Sequence, residues 1–270
     1  MKKKLSALAL CAALALSLLS GCGGKSNEAV TIKVGASPAP HAEILEVVKE
    51  ILAEDNITLE IVEFNDYIQP NEAVESGDID ANYFQHITYM NNFNTEHGTH
   101  LASVADVHYE PFALYAGKTA SLDALADGAQ IGIPNDPTNC GRALLLLQEQ
   151  GLITLNDGVG LEPTPLDIKD NPHNYKIEEL EAAQLPRSLD SLDMAVINGN
   201  YAIDAGLKVA DALAIESADG IAGTAYVNVL SVKEGRENDE AIKALVKALQ
   251  SDKVKEYINE TYGGAVVPKF

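Results

Sequence analysis

Pro134–Ile153 reads PNDPTNCGRALLLLQEQGLI, a loop that feeds a helix N-terminus. Asp136 suits the N-cap, where its carboxylate can accept from free backbone N–H groups, and Pro137 suits the first helical position, where no N–H is needed. Leu144–Leu147 supplies an apolar face and Gly151 a stop. Ile131–Ile133 reads as a strand just ahead of the helix, and ligands of α/β proteins sit at such carboxyl ends of strands. A helix start carries unpaired N–H donors that attract anions. Arg142, one turn inside, has the planar fork that grips a carboxylate. The stretch therefore points to a pocket for a small carboxylate-bearing ligand. The competing reading is an ordinary capped helix with a surface arginine.

Working outward, the chain alternates. Val30–Gly35 is a β run, and Ala42–Glu54 sets Ile44, Leu45, Val48, Ile51 and Leu52 on one helical stripe. Ile57–Phe64 alternates as a strand, Pro70–Ser76 forms a short helix closed by Gly77, and Ile79–Asn82 is a further strand. This β-α-β-α-β order predicts a parallel sheet with helices on its faces. Gln85–Glu96 reads as helix, and Leu101–Val107 and Phe112–Ala116 as strands. Gly158–His173 is mostly loop, Tyr175–Leu180 a strand and Leu189–Asp193 a helical turn. Met194–Ile197 is a buried-type strand ending in Asn198-Gly199-Asn200, with a helix restarting over Tyr201–Gly206. Tyr226–Val232 is a strand, followed by helices over Asp239–Gln250 and Ser251–Tyr262. The alternation comes in two batches, which predicts two lobes around a cleft: residues 30–113 with 226–270, and residues 114–225.

Residues 1–21 read as a secretory leader: Lys2–Lys4 is a basic start, Leu5–Leu19 a short apolar run, and Leu19-Ser20-Gly21-Cys22 resembles the bacterial lipobox. Cys22 is then the expected lipidation site, carrying palmitate-type acyl chains, and residues 22–29 a flexible tether. With Cys11 in the leader and Cys22 lipidated, Cys140 is left alone, so no internal disulfide is expected. The 249 residues after position 21 hold 16 basic against 40 acidic side chains. That balance argues against a nucleic-acid partner, which requires basic patches.

Two chemical rivals were weighed. His97, His100 and His108, with His86 nearby, raise a zinc site, but Gly98 interrupts the helix and leaves no regular ligand spacing. Cys140 near a helix start raises a thiol nucleophile, but no pattern supplies its base. No P-loop, nucleophile elbow, HExxH or GxGxxG element occurs. The chain reads as no enzyme, with no metal and no cofactor. More informative are Tyr67, Tyr83, Phe84, His86 and Tyr89, gathered within 23 residues of a chain with five Phe, ten Tyr and no Trp. Such rings suit an apolar or thioether-lined pocket. Asn139, Asn198 and Asn228 fall at strand ends and helix starts, and each amide can serve a carboxylate or an ammonium.

Taken in order, VEFNDYIQPNEAVESGDIDANYFQH (Val62–His86), IPNDPTNCGRALLLLQEQGLI (Ile133–Ile153), LEAAQLPRSLD (Leu180–Asp190), AVINGNYA (Ala195–Ala202), YVNVLSV (Tyr226–Val232) and GGAVVP (Gly263–Pro268) resemble the methionine-binding lipoproteins of the MetQ/NlpA family. The resemblance covers residues 30–270. It implies a two-lobed, type II periplasmic-binding-protein-like α/β fold closing over methionine, L or D or within a dipeptide. It further implies delivery to the permease and ATPase subunits of an ABC importer, from a lipid anchor on the extracytoplasmic side of a cell membrane. Carried over, Arg142 and Asn139 would hold the carboxylate, Asn198 and Asn228 would bond the amino-acid end, and Tyr67, Phe84, His86 and Tyr89 would surround the thioether. No role comes with Tyr83 or with His108-Tyr109-Glu110, and Cys140 stands where a small or aliphatic residue is expected. A surface adhesin on the same fold and a cleft hydrolase are the alternative functions.

Overall fold

The computed structural model describes residues 30–218 and 221–270. The leader, Cys22 and the tether lie outside the described residues. Thirteen strands of the described residues follow in order. They are β1 (Val30–Ala36), β2 (Ile57–Glu63), β3 (Ala81–His86), β4 (Leu101–Tyr109), β5 (Ala113–Ala116), β6 (Gln130–Pro134) and β7 (Thr154–Leu155), then β8 (Ile168–Asp170), β9 (Lys176–Leu180), β10 (Met194–Ile197), β11 (Ala214–Ile215), β12 (Val227–Lys233) and β13 (Val267–Pro268). Nine α-helices of the described residues join them. These are α1 (Glu43–Glu54), α2 (Gln69–Ser76), α3 (Ile87–His97), α4 (Pro137–Glu149), α5 (Leu185–Ser188), α6 (Gly199–Asp204), α7 (Ala222–Ala225), α8 (Glu240–Leu249) and α9 (Asp252–Tyr262).

Two sheets organise the lobes. One has the order β13-β4-β12-β3-β1-β2, the other β11-β5-β10-β6-β9. Both are mixed, which corrects the expectation of a parallel sheet. β1 and β3 run parallel, as do β10 with β6 and β6 with β9. β12 is antiparallel to both β3 and β4, and β5 is antiparallel to β10 and β11. The reason is the chain path. It leaves the first sheet after β4, builds the second, and returns as β12 into the gap between β3 and β4, so the strands at the crossings run against the βαβ direction. The returning helices close the first lobe: Ile242, Leu245 and Leu249 of α8 and Val254 and Ile258 of α9 share one core with Ile44, Leu45, Val48 and Leu52 of α1. The second lobe packs Ala143, Leu144, Leu146 and Leu147 of α4 against Ile131 and Ile133 of β6 and Met194 and Val196 of β10.

The deciding stretch folds as its residues dictate. Asp136 is the N-cap of α4, accepting from the Asn139 N–H, with Pro137 at the first helical position. Beyond the helix, Gly151 takes φ +71°, a left-handed conformation that costs a residue with a Cβ about 1–2 kcal/mol. Elsewhere boundaries move. The third strand runs from Ala81 to His86 rather than Ile79 to Asn82, and its helix starts at Ile87 rather than Gln85. All six residues of β3 are buried. Polar Asn82, Gln85 and His86 disguise it as a surface segment, because their partners are distant in sequence: Asn82 Nδ2 donates to Asn71 Oδ1 at 2.8 Å, and Gln85 Nε2 to the same oxygen at 2.7 Å. The second-lobe helical turn falls at α5, ahead of Leu189–Asp193, and α6 begins at Gly199, two residues before the expected restart.

Candidate functional site

Strand register assembles the site's floor. In β12, Asn228 pairs with His86 of β3 on one side and His108 of β4 on the other. The register slips at Val229 on both sides, and bulges of this kind re-aim side chains near binding sites. Across from this floor, α4 and the start of α6 present Asn139, Arg142, Asn198, Gly199 and Asn200. Together with Tyr67, Phe84, Gln85, Tyr89 and Glu110 these groups line one tight cavity, apolar rings on one side and a few convergent polar groups on the other, the lining typical of small-molecule sites.

The apolar wall is a ring cluster. Tyr67 stacks on Tyr201 (centroids 5.0 Å) and lies 5.8 Å from Phe84 and 5.7 Å from Tyr89. Its hydroxyl donates to Asn200 Oδ1 at 2.6 Å and so ties the first lobe to the second. Tyr83 stands outside the cavity lining and hydrogen-bonds to His108 Nδ1.

Arg142 is only 4 % exposed. Its guanidinium lies between Tyr226 (Cζ 4.3 Å from the ring centre) and Phe112 (4.7 Å). Nε donates to Glu216 Oε2 at 2.9 Å and Oε1 at 3.1 Å, while Nη2 donates to the Glu110 carbonyl at 2.9 Å and to Glu216. Burial alone would lower the arginine's pKa, but the Glu216 carboxylate outweighs it and raises it further, so the charge is permanent. Nη1 makes no hydrogen bond among the described residues, and Arg142 is part of the cavity lining.

Two carboxylates, the half-buried Asp136 and the buried Glu110, set the polarity of the remaining amides. Asp136 accepts twice from Asn139 Nδ2, at 2.9 and 3.0 Å. Because a carboxylate only accepts, the Asn139 oxygen must face the other way. That oxygen receives His86 Nε2–H at 3.2 Å and Asn198 Nδ2 at 2.9 Å. His86 Nδ1 accepts the Tyr89 N–H, capping α3, and burial followed by the Arg142 charge lowers the imidazole's pKa to about 3, so it is the neutral Nε2–H tautomer. Asn198 is thereby turned so that its Oδ1 is buried with no partner. An orphan acceptor costs about 1–3 kcal/mol. Asn139, expected to hold a ligand carboxylate, has its amide donors engaged by Asp136 in this state.

The second carboxylate is Glu110. Burial pushes its pKa up, but the hydrogen bond from His108, the His41 and His108 imidazoles beside it and the Asn200 backbone N–H hold it below the usual range. His108 Nε2 donates to Oε1 at 2.7 Å and His41 Nε2 lies 3.4 Å from the same oxygen. Gly199 makes room for it: a Cβ there would sit 2.7 Å from both Glu110 Cβ and Oε2.

Of the expected residues, Tyr67, Phe84, His86, Tyr89, Asn139, Arg142, Asn198 and Asn228 all line this one cavity. Glu110, Gln85, Gly199 and Asn200 join them unforeseen, although Gly199 and Asn200 stand inside the strand-ending triplet. The histidines considered for zinc separate: His97 stacks on Phe93 and His100 meets Glu75 at the surface. Cys140 is buried beside Glu179, and burial with that carboxylate pushes its thiol pKa up to about 12, far from a nucleophile's.

Comparison with known proteins agrees with this geometry. The pattern of the NlpA lipoprotein family matches residues 32–270. The D-methionine-binding lipoprotein MetQ of Salmonella typhimurium is 46 % identical over 253 residues, covering 92 % of each chain. A nutrient binding protein from Burkholderia cenocepacia, solved bound to methionine, is 43 % identical with a TM-score of 0.84, covering 88 % of this chain and 100 % of that one. The substrate binding protein of a methionine transporter from Streptococcus pneumoniae is 37 % identical with the same TM-score, covering 89 % and 96 %. Fold, cavity and similarity over nearly all the described residues lead to one conclusion: the chain belongs to the NlpA lipoprotein family.

Proposed function

We propose that this chain is a lipid-anchored, extracytoplasmic solute-binding protein that closes over methionine and delivers it to the permease and ATPase subunits of an ABC importer. Residues 30–113 and 226–270 form one lobe and 114–225 the other, hinged where the chain crosses between sheets. Cys22 carries the anchor. Arg142 Nη1 and Asn228 Nδ2 take the carboxylate, Asn198 Oδ1 and Glu110 receive the ammonium, and Tyr67, Phe84, His86 and Tyr89 surround the thioether. Asn139 acts in the wall, orienting His86 and Asn198.

The observation that carries this reading is the buried, unpartnered Oδ1 of Asn198 in the same cavity as Arg142. A pocket with one orphan acceptor and one guanidinium nitrogen left over matches a zwitterion. Charge agrees: Arg142 is the one Lys or Arg of the cavity lining and is neutralised by Glu216, which leaves the Glu110 carboxylate as a negative charge for an ammonium. The relatives' methionine names and the ring cluster point to a thioether side chain, worth about 0.3–1.5 kcal/mol per sulfur–ring contact.

Thermal unfolding with L- and D-methionine tests it. At about 1,000 times Kd the ligand adds about 4 kcal/mol of stability, several degrees in Tm. No shift with either enantiomer points instead to a surface-adhesion role, and turnover of an added ester or amide points to a hydrolase.

A further inference from the structure

Behind the cavity wall lie two buried histidines that the ligand reading does not use, His41 and His108, whose ligating atoms gather within 4.8 Å of one another and of Glu110. His41 belongs to a π-helical turn, Pro38–Ala42, and is fully buried. Its Nε2 faces two oxygens, Asn228 Oδ1 at 3.0 Å and Glu110 Oε1 at 3.4 Å. Its ring meets Tyr83 edge-on at 4.7 Å and His108 at 5.1 Å. Glu110 can only accept, so Nε2 carries the proton. The same holds for His108 Nε2 against Glu110. With both N–H groups turned onto Glu110 Oε1, neither histidine presents an imidazole lone pair at the centre, and the cluster reads as a hydrogen-bond relay in place of a metal site.

The relay ends on Asn228. An amide has two faces, and alone it could present either C=O or NH2 to the cavity. The His41 N–H takes the oxygen, which leaves Nδ2 for the cavity that Asn228 lines. We propose that His41 is a positioning residue: held by Glu110, it fixes the Asn228 amide as a donor and so makes the site select a carboxylate over a neutral amide end. The inference rests on the methionine reading above and adds the residue that sets this selectivity. No described neighbour other than His41 hydrogen-bonds the Asn228 side chain, so nothing else fixes its face.

The test measures Kd by calorimetry for L-methionine and L-methioninamide on the full chain and on two variants. Wild type prefers the acid by at least about tenfold, the scale of one charged hydrogen bond. His41→Gln keeps an N–H near the Nε2 position and holds the acid-to-amide ratio within about twofold of wild type. His41→Met fills the space without a donor, frees Asn228 to rotate, and lowers the ratio at least about fivefold. A His41→Met protein that keeps the wild-type ratio, however weakly it binds both probes, overturns the inference, because packing alone then explains the residue. If His41→Met does not fold, Asn228→Asp decides: it offers oxygen to the cavity in either rotamer and turns the preference toward the amide. An unchanged preference for the acid overturns the inference. A wild-type chain that binds neither probe overturns the methionine reading and the inference together, whereas wild-type binding with an unmoved ratio in the variants overturns the inference alone.

Discussion

Arg142 Nε lies 2.9 Å from Glu216 Oε2, so the arginine of the cavity wall already holds a carboxylate of its own. Glu216 also accepts the Tyr109 hydroxyl at 2.6 Å and the Phe112 N–H at 2.9 Å. The pair fixes the guanidinium plane, and two aromatic rings clamp its faces. Little rotamer freedom is then lost on ligand binding, and a rigid donor binds with a smaller entropic cost than a mobile one.

Arg142→Ala follows from this pair. The substitution strands a buried carboxylate, so the unliganded protein loses about 3–5 kcal/mol in a denaturant titration. Methionine affinity falls tens- to thousands-fold by calorimetry. A change below about threefold in affinity contradicts the assignment. Glu216→Gln leaves the guanidinium in place, and its affinity changes by less than about tenfold.

Gly199→Ala reads out the fit around Glu110. The new methyl meets Glu110 Cβ at 2.7 Å, so either α6 or the carboxylate must shift. Overpacking of this kind costs about 1–3 kcal/mol. Affinity for methionine falls more than affinity for its deaminated analogue, because the displaced group faces the ammonium; equal losses for both argue against that role for Glu110.

Tyr67→Phe removes the interlobe bond to Asn200 and keeps the stacked ring. A lost hydrogen bond of about 0.5–1.5 kcal/mol that exists only when the lobes meet appears as faster ligand release, about three- to tenfold in stopped-flow. An unchanged release rate shows that this contact is no latch.

Acid should loosen the fold through two buried imidazoles. Burial lowers the His41 pKa to about 4 against the opposing pull of Glu110, and burial followed by the Arg142 charge lowers that of His86 to about 3. The unfolded chain protonates both near the ordinary 6.5, so below that pH the unfolded state binds more protons. The contribution is whole above pH 6.5 and is lost as pH falls toward 4, about 2–3 kcal/mol per histidine between pH 7 and 4.5. Urea titrations at the two pH values measure it, and His86→Gln flattens the difference by about one histidine's share. A variant with the wild-type pH slope contradicts the buried-neutral assignment.

Everything that rests on local pattern can be read from the residues in order. The capped start of α4 at Asp136-Pro137, the apolar stripes of α1, α8 and α9, and the strand before Asn198-Gly199-Asn200 are each fixed by neighbours within a few residues, and periodicity and capping chemistry expose them. Eight cavity residues were legible because they stand in contiguous motifs. Only the tertiary structure decided the mixed strand directions, which follow from where the returning β12 is inserted, and the strand character of Asn82-Tyr83-Phe84-Gln85-His86, whose polar side chains are satisfied by distant partners. The donor and acceptor faces of Asn198 and Asn228 were also invisible in one dimension. Asp136 orients Asn139 from three residues away in the same helix start, but Asn198 takes its orientation from Asn139 and Asn228 from His41, partners 59 and 187 residues away, and these meet only when the chain is folded.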